Sequence, residues 1–278
     1  MKLLAVLLMV ETVFSAPVDL NPEENRNLEG TADYFEGDMM LTPQQRGNAE
    51  MGLDVYTSGG FGGQAASIIT PLWPNGEIVY DIDSSVANDP RGMAVVMAGM
   101  NEWTSKTCIR FKKRTTETDY AYFTTGSGCY SFVGKIGGRQ NIILERGRCW
   151  NKGTVTHEIG HAVGYYHEQS RPDRDEYVTI LLANVQSGKE HNFNKYSRTL
   201  IDSLGTPYDY QSVMHYGQFA FTKNGLPTIT PLKDGVTIGQ RDGLSTIDAN
   251  QANLLYKNCG RVGNAASFTT AHPTTQST

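Results

Sequence analysis

No stretch of the 278 residues approaches the ~18 consecutive apolar side chains that a membrane-crossing helix requires. Basic clusters are missing as well. The 24 Lys and Arg are outnumbered by 29 Asp and Glu, giving a net charge of −5, with no basic tail or stripe. A nucleic-acid partner is therefore not expected. Cysteine is scarce: Cys108, Cys129, Cys149 and Cys259 are the only four, and none forms a C-x-x-C pair. That removes the zinc-knuckle and dithiol-redox readings. There is no internal repeat and no Asn-x-Ser/Thr sequon. Core-forming residues are not lacking. Apolar side chains make up 39% of the chain and aromatics 10%, enough for one large domain or two small ones.

What is present begins with Lys2, an apolar run over residues 3–10, and the small residues Ser15 and Ala16. This is the layout of a secretory signal peptide over 1–15, and it predicts a secreted, extracellular protein. In an exported chain four cysteines read as two disulfides, and spacing alone leaves all three pairings open. Residues 17–63 hold nine acidic residues against Arg26 and Arg46. One apolar interruption over 34–41 breaks that stretch, and the Gly-rich 58–63 reads as a flexible connector. Globular-looking sequence starts near Ile68. A strand is predicted over 78–82 after the turn Pro74-Asn75-Gly76. Met93, Val96, Met97, Met100 and Trp103 recur at helical spacing and are expected in the core. Short strands are predicted over 120–125, 130–136 and 141–144. Ser245-Thr246-Ile247-Asp248 resembles a capping box opening a helix through Tyr256. The Ser/Thr/Ala-rich 261–278 reads as a disordered tail.

The chemistry is concentrated in Thr156-His157-Glu158-Ile159-Gly160-His161-Ala162-Val163-Gly164-Tyr165-Tyr166-His167-Glu168. Four residues apart on a helix, His157 and His161 stack their imidazoles on one face. Gly164 tolerates positive φ and lets the chain leave the helix, so that His167 can return as a third ligand. Three neutral ligands suit one zinc ion with an open position for water, which then ionises near neutral pH. Glu158, beside the first histidine, is placed to accept that water's proton and deliver it to a leaving amine. With positions treated as independent, H-E-x-x-H-x-x-G-x-x-H has a chance expectation on the order of 10⁻⁵ in such a chain.

Ser212-Val213-Met214-His215-Tyr216 follows about fifty residues later. The long histidine motif with such a downstream Met is the metzincin pattern. Glu168 after the third histidine, and Tyr216 two residues after Met214, resemble the astacin family of secreted zinc endopeptidases. So do Leu72-Trp73-Pro74, Thr107-Cys108-Ile109-Arg110-Phe111, Gly126-Ser127-Gly128-Cys129 and Tyr208-Asp209-Tyr210. The resemblance implies an α+β, two-lobed peptidase domain over 64–260, with a twisted mixed sheet, an active-site helix and a cleft between the lobes. It implies one zinc on His157, His161 and His167, and Glu158 as general base and acid. Tyr216 would be a displaceable ligand and oxyanion donor, and Met214 would sit under the imidazoles. The implied disulfides are Cys108–Cys259 and Cys129–Cys149. The strand containing Tyr130 and Val133 would take up an extended substrate by β-addition.

The resemblance also gives the acidic segment 16–63 a role as activation propeptide. Phe35-Glu36-Gly37-Asp38 is similar to the family's inhibitory F-x-G-D motif, in which the Asp carboxylate takes the open position on the metal. The mature chain would start at Gln64 or Ala65, and its new amine would meet Glu168 through water. Gly62-Gly63-Gln64-Ala65 contains no basic cleavage signal, so the activator is another protease or the chain itself. Lys189 and Arg241 lie in segments similar to those of astacins that prefer Asp or Glu just after the scissile bond. Two cations facing a small cleft would favour such residues. His191 and His272 read as ordinary polar residues. The expected partners are protein or peptide substrates, and the expected state is a monomer. The alternative is a catalytically inactive astacin-like zinc- or peptide-binding module. Such a module would typically lack Glu158 or a ligand histidine, and this chain retains them all.

Overall fold

Asp89 and Pro90 open the longest helix, which runs to Lys106: the Asp89 carboxylate accepts from the amide of Arg91 at 2.9 Å, and Pro90 has no amide to satisfy. The computed structural model that contains it describes residues 34–51, 71–196, 203–257 and 259. The expected signal peptide, the connector over 58–63 and the tail over 261–278 lie outside the described residues.

The elements in chain order are β1 (Met39–Met40), α1 (Pro43–Met51), β2 (Glu77–Ile82), α2 (Ser84–Ala87), α3 (Pro90–Lys106), β3 (Arg110–Lys113) and β4 (Tyr120–Thr124). After them come β5 (Cys129–Phe132), β6 (Arg139–Leu144), α4 (Lys152–Val163), β7 (Val178–Ile180), β8 (Ile229–Pro231) and α5 (Thr246–Leu255). Six strands form one mixed sheet in the order β1-β5-β6-β4-β2-β3, in which β5 and β6 are antiparallel and every other pair is parallel. β7 and β8 form a separate antiparallel pair. The architecture is α+β, as expected. No helix among the described residues is long and apolar enough to cross a membrane.

Two main apolar clusters correspond to the two lobes. The larger packs α3 and α4 under the sheet, through Trp73, Ile78, Val96, Trp103, Phe123 and Ile159. The smaller gathers Val178, Phe193, Tyr208, Tyr216, Phe221 and Ile229 around the β7–β8 pair. A third joins Met39 and Ala49 of the N-terminal segment to Val133, Tyr166 and Tyr196. Both disulfides have the expected pairing, Cys108 with Cys259 and Cys129 with Cys149.

Two expectations need correction. Met97 is 43% exposed, because the buried stripe of α3 runs through Gly92, Val96, Gly99, Met100 and Trp103, one residue to its side. The strand predicted over 130–136 ends at Phe132. Gly134 there adopts φ 68° and turns the chain, so its amide reaches the carbonyl of His161 at 2.8 Å. Helix α1 has no counterpart in the sequence reading. Its start is held by reciprocal bonds between Thr42 and Gln45, and Gln45 also donates to the Val133 carbonyl at 3.1 Å.

The glycines of α3 allow it to approach α4. A Cβ on Gly99 would lie 2.6 Å from Cγ1 and 3.1 Å from Cβ of Val155. Gly99→Ala should therefore destabilise the fold by about 1–3 kcal/mol and lower Tm by several degrees in thermal unfolding followed by circular dichroism. An unchanged Tm would mean that the two helices part at no cost.

Candidate metal centre

Asn151 caps α4 by accepting from the amide of Thr154 at 2.8 Å, and every residue from Gly153 to Val163 is buried. A helix buried on all sides is a core element, and its polar groups need specific partners. Two indoles supply them at its outer turns: Trp103 donates to the Thr156 carbonyl and Trp73 to the Ala162 carbonyl, both at 2.9 Å. The helix ends at Gly164, with φ 124°. The amides of Gly164 and Tyr165 bond back to the carbonyls of His161 (2.8 Å) and Gly160 (3.0 Å), a Schellman closure. That sharp exit carries His167 back toward His157 and His161.

The three imidazoles meet around Asp38. Nε2 of His157 lies 3.1 Å from Asp38 Oδ2, Nε2 of His167 lies 3.3 Å from the same oxygen, and Nε2 of His161 lies 3.4 Å from Oδ1. The four side chains are buried, and their ligand atoms all lie within 4.8 Å of one another. Each outer nitrogen is anchored. Nδ1 of His157 donates to the Val213 carbonyl, Nδ1 of His161 to the Tyr165 carbonyl, and Nδ1 of His167 to Glu36 Oε2, each at 2.8 Å.

Because carbonyl and carboxylate oxygens only accept, each Nδ1 carries the proton. In the neutral ring Nε2 is then a bare lone pair. Three such lone pairs face an anionic carboxylate, an arrangement that repels itself unless a positive charge sits among them. Asp38 Oδ1 and His161 Nε2 are buried and make no hydrogen bond, although they are close neighbours. Burial opposes charge on Asp38, but the surrounding histidines hold its carboxyl well below the usual range. Burial likewise opposes charge on His167, yet Asp38 and Glu36 push it up to about 9. Both directions describe a site that stabilises positive charge. Nitrogen ligands with one carboxylate suit a zinc-like divalent ion, so the residues present fit the metal.

The remaining predicted residues are placed as follows. Glu158 is fully buried on α4 beside His157. Met214 is buried against α4, where a Cβ on Gly160 would come 2.5 Å from its sulfur. The ring of Tyr216 lies 4.6 Å from that of His167, and its hydroxyl donates to the Glu36 carbonyl. Glu168 is buried and accepts from Arg171 at 3.1 Å and from the amide of Asp209 at 2.8 Å. Arg241 is half-buried and donates to the His215 carbonyl at 3.1 Å. Lys189 is half-buried and immediately precedes the 3-10 turn Glu190–Phe193. Neither cation belongs to the four-residue cluster.

Three residues at the site were missed by sequence reasoning. Glu36 is buried, and its Oε1 accepts from Ser170 Oγ at 2.5 Å and from the Tyr196 hydroxyl at 2.7 Å. Glu36 stands at the variable position of F-x-G-D, so the motif itself draws no attention to it. Ser170 and Tyr196 belong to none of the motifs above.

The family model described as "Astacin", a peptidase family, matches residues 66–257. The chain is 44% identical over 232 residues to zinc metalloproteinase nas-15 of Caenorhabditis elegans, a match covering 81% of this chain and 39% of that protein. It is 40% identical over 235 residues to nas-4 of the same organism, covering 84% of this chain and 71% of the relative. Among solved structures it is similar to high choriolytic enzyme 1, a hatching-enzyme zinc-protease from Oryzias latipes. That likeness has a TM-score of 0.63 and 39% identity, and covers 71% of this chain and 98% of the other. The chain belongs to the astacin family, whose members named here are zinc proteases. It spans about two-fifths of the length of nas-15 and of similar long relatives.

The first histidine is supported from α5. Ser245 and Asp248 form the expected capping box. The Asp248 carboxylate also accepts from Ser212 Oγ at 2.7 Å and from the Val213 amide at 2.9 Å, and the Val213 carbonyl in turn holds His157. Burial pushes the Asp248 carboxyl up to about 6, with the three donors opposing the shift. The folded chain thus keeps a proton that the unfolded chain has lost, so this contribution to stability is complete below about pH 4. It disappears as pH rises through 6, a change of up to roughly 3 kcal/mol. Asp248→Asn should remove that component. Urea unfolding of parent and variant at pH 4, 5, 6 and 7 should show the difference between them shifting by this amount, in the variant's favour as pH rises. A difference independent of pH would contradict the assignment.

Proposed function

We propose that the chain is the precursor of a secreted zinc endopeptidase that hydrolyses internal peptide bonds of extracellular proteins. The observation that carries this reading is the convergence of three anchored, lone-pair-bearing histidine nitrogens on one buried carboxylate. Its division would be a signal peptide over 1–15, an activation segment over 16–63, a peptidase domain over 64–260 and a tail over 261–278. The family match over 66–257 supports that division, and the processed form would act as a monomer.

His157, His161 and His167 would hold the zinc. When bound, the ion supplies Lewis acidity and lowers the pKa of water to near neutrality. The Glu158 carboxylate takes the proton of the attacking water and returns it to the leaving amine. The Tyr216 hydroxyl, released from the Glu36 carbonyl, donates to the oxyanion that develops on the scissile carbonyl. Substrate reaches this machinery as an extended strand along the free edge of β5. That edge now carries β1, through Met39 opposite Ser131 and Met40 opposite Phe132.

Latency follows from the same contacts. Asp38 occupies the position that water needs, and β1 occupies the substrate's edge. Processing near Gln64 or Ala65, by another protease or by the chain itself, would release both. The new amine would then meet Glu168, which is buried beside Arg171 and the Asp209 amide. Lys189 and Arg241 would favour Asp or Glu just after the scissile bond.

Peptide-library cleavage by the processed protein tests this reading. Cleavage should be abolished by a zinc chelator and fall by roughly 10²–10⁴ in Glu158→Ala. The Lys189→Ala/Arg241→Ala pair should reduce the acidic preference. A folded, zinc-loaded, processed protein that cuts nothing would favour the inactive binding-module reading instead.

A further inference from the structure

Glu36 makes more contacts than a spacer between Phe35 and Gly37 needs. Its backbone is at φ 48°, a left-handed conformation that a non-glycine residue adopts at some cost. Its side chain is 1% exposed and touches no Lys or Arg in the contacts described above. Its carboxylate is held by two hydroxyls and one imidazole: Ser170 Oγ and the Tyr196 hydroxyl on Oε1, and Nδ1 of His167 on Oε2.

These donors are arranged by the body of the protein and not by the N-terminal segment. The Tyr196 amide bonds to the Ser170 carbonyl at 3.0 Å. Arg174 ties the same two stretches together, donating from Nη1 to the carbonyls of Gln169 (3.0 Å) and Phe193 (2.5 Å). The Tyr216 ring packs on His167 from the other side. Beside Glu36 lies a cavity of about 210 Å³, with Phe35 and Arg46 on one wall and His191, Asn194 and Tyr196 on the other. Once residues 34–51 leave, the cradle would lose the side of that cavity formed by Phe35, Glu36 and Arg46. Its three donors would then have no carboxylate, and buried donors require acceptors.

We propose that His167 Nδ1, Ser170 Oγ and the Tyr196 hydroxyl form a carboxylate-binding subsite. Glu36 fills it in the precursor, and an acidic side chain of a peptide substrate fills it after activation. The proposal rests on the reading of residues 16–63 as an activation segment. It differs from the attraction assigned to Lys189 and Arg241, because recognition here is by buried, directed hydrogen-bond donors, two of them hydroxyls. Such donors select a carboxylate by geometry, so the effect should survive at salt concentrations that screen a surface cation.

The test uses the full chain cut in the Gly-rich 58–63 stretch, so that the N-terminal fragment remains bound as a complex, and follows fragment release by fluorescence. Glu36→Gln, Ser170→Ala and Tyr196→Phe should each loosen the fragment roughly ten- to hundredfold. Asp38→Asn should loosen it independently. Loosening by Asp38→Asn with none from the other three would overturn the subsite and leave the latency reading standing. No loosening by any of the four would overturn both. In a second arm, peptides with one Glu or Gln walked along the sequence compete for the released cleft. At one position Glu should outcompete Gln about tenfold or more in the parent and in the Lys189→Ala/Arg241→Ala pair, and this ratio should collapse toward one in Tyr196→Phe. A ratio that is lost in the alanine pair and kept in Tyr196→Phe would overturn the proposal.

Discussion

Three imidazole lone pairs and a carboxylate cannot share one buried cavity without a positive charge among them, and much of the structure serves to hold them there. Histidine Nε2 atoms turn inward only because each Nδ1 is committed to an oxygen outside the cavity. That commitment needs an immobile helix. Burial of α4 from Gly153 to Val163, its Asn151 cap and the two indole bonds to its carbonyls supply the immobility. The underside needs filling without steric conflict. Gly160 provides the space and Met214 occupies it, so the motif's helix lies directly on the downstream methionine segment. The same segment offers the Val213 carbonyl to His157. Packing and hydrogen bonding around α4 therefore act on one object, the direction of three nitrogens.

The N-terminal segment is bound by the features that a substrate would exploit. It adds a strand to the exposed edge of β5, places Met39 in an apolar cluster with Val133, Tyr166 and Tyr196, and stacks Tyr34 on Tyr130 at 4.4 Å. Between these anchors the backbone turns at Glu36 and Gly37, both at positive φ, and drives two carboxylates into the centre. An edge strand is an open template until something covers it. In this chain the covering strand and the carboxylate among the three imidazoles belong to the same seven residues, 34–40.

Legibility in the sequence follows the range over which each signal acts. The histidine motif is readable because helical spacing and one glycine encode its geometry within a dozen residues. The α5 capping box and the Asp89-Pro90 helix start follow from equally local rules, though only the first was read. Assignments fail where tertiary context decides. Met97 has the apolar character of its neighbours, but the buried stripe passes through glycines, which carry no hydropathy signal. The Val213 and Tyr165 carbonyls that orient His157 and His161 are backbone atoms, and no residue identity announces them. Glu36 is hidden for a different reason. Its partners Ser170 and Tyr196 are separated from it by more than 130 residues, and a glutamate in an acidic segment reads as solvated surface.

The three anchors are not equivalent: two belong to the fold and one to the N-terminal segment. His157 and His161 rest on carbonyls of the fold itself, so neither anchor is supplied by residues 34–51. His167 rests on a carboxylate supplied by that N-terminal segment, and the hydroxyl of the adjacent Tyr216 rests on the same residue's carbonyl. Loss of the segment would therefore change the outer partner of one ligand and free one hydroxyl, leaving the helical pair undisturbed. An anionic partner raises the basicity of the imidazole it holds, and a neutral or solvent partner does so less. Glu36 thus raises the basicity of the His167 ring while Asp38 lies among the three imidazoles. Under the proposed activation its departure would leave His167 with a less anionic outer partner, and so a weaker donor toward a metal held by the three histidines.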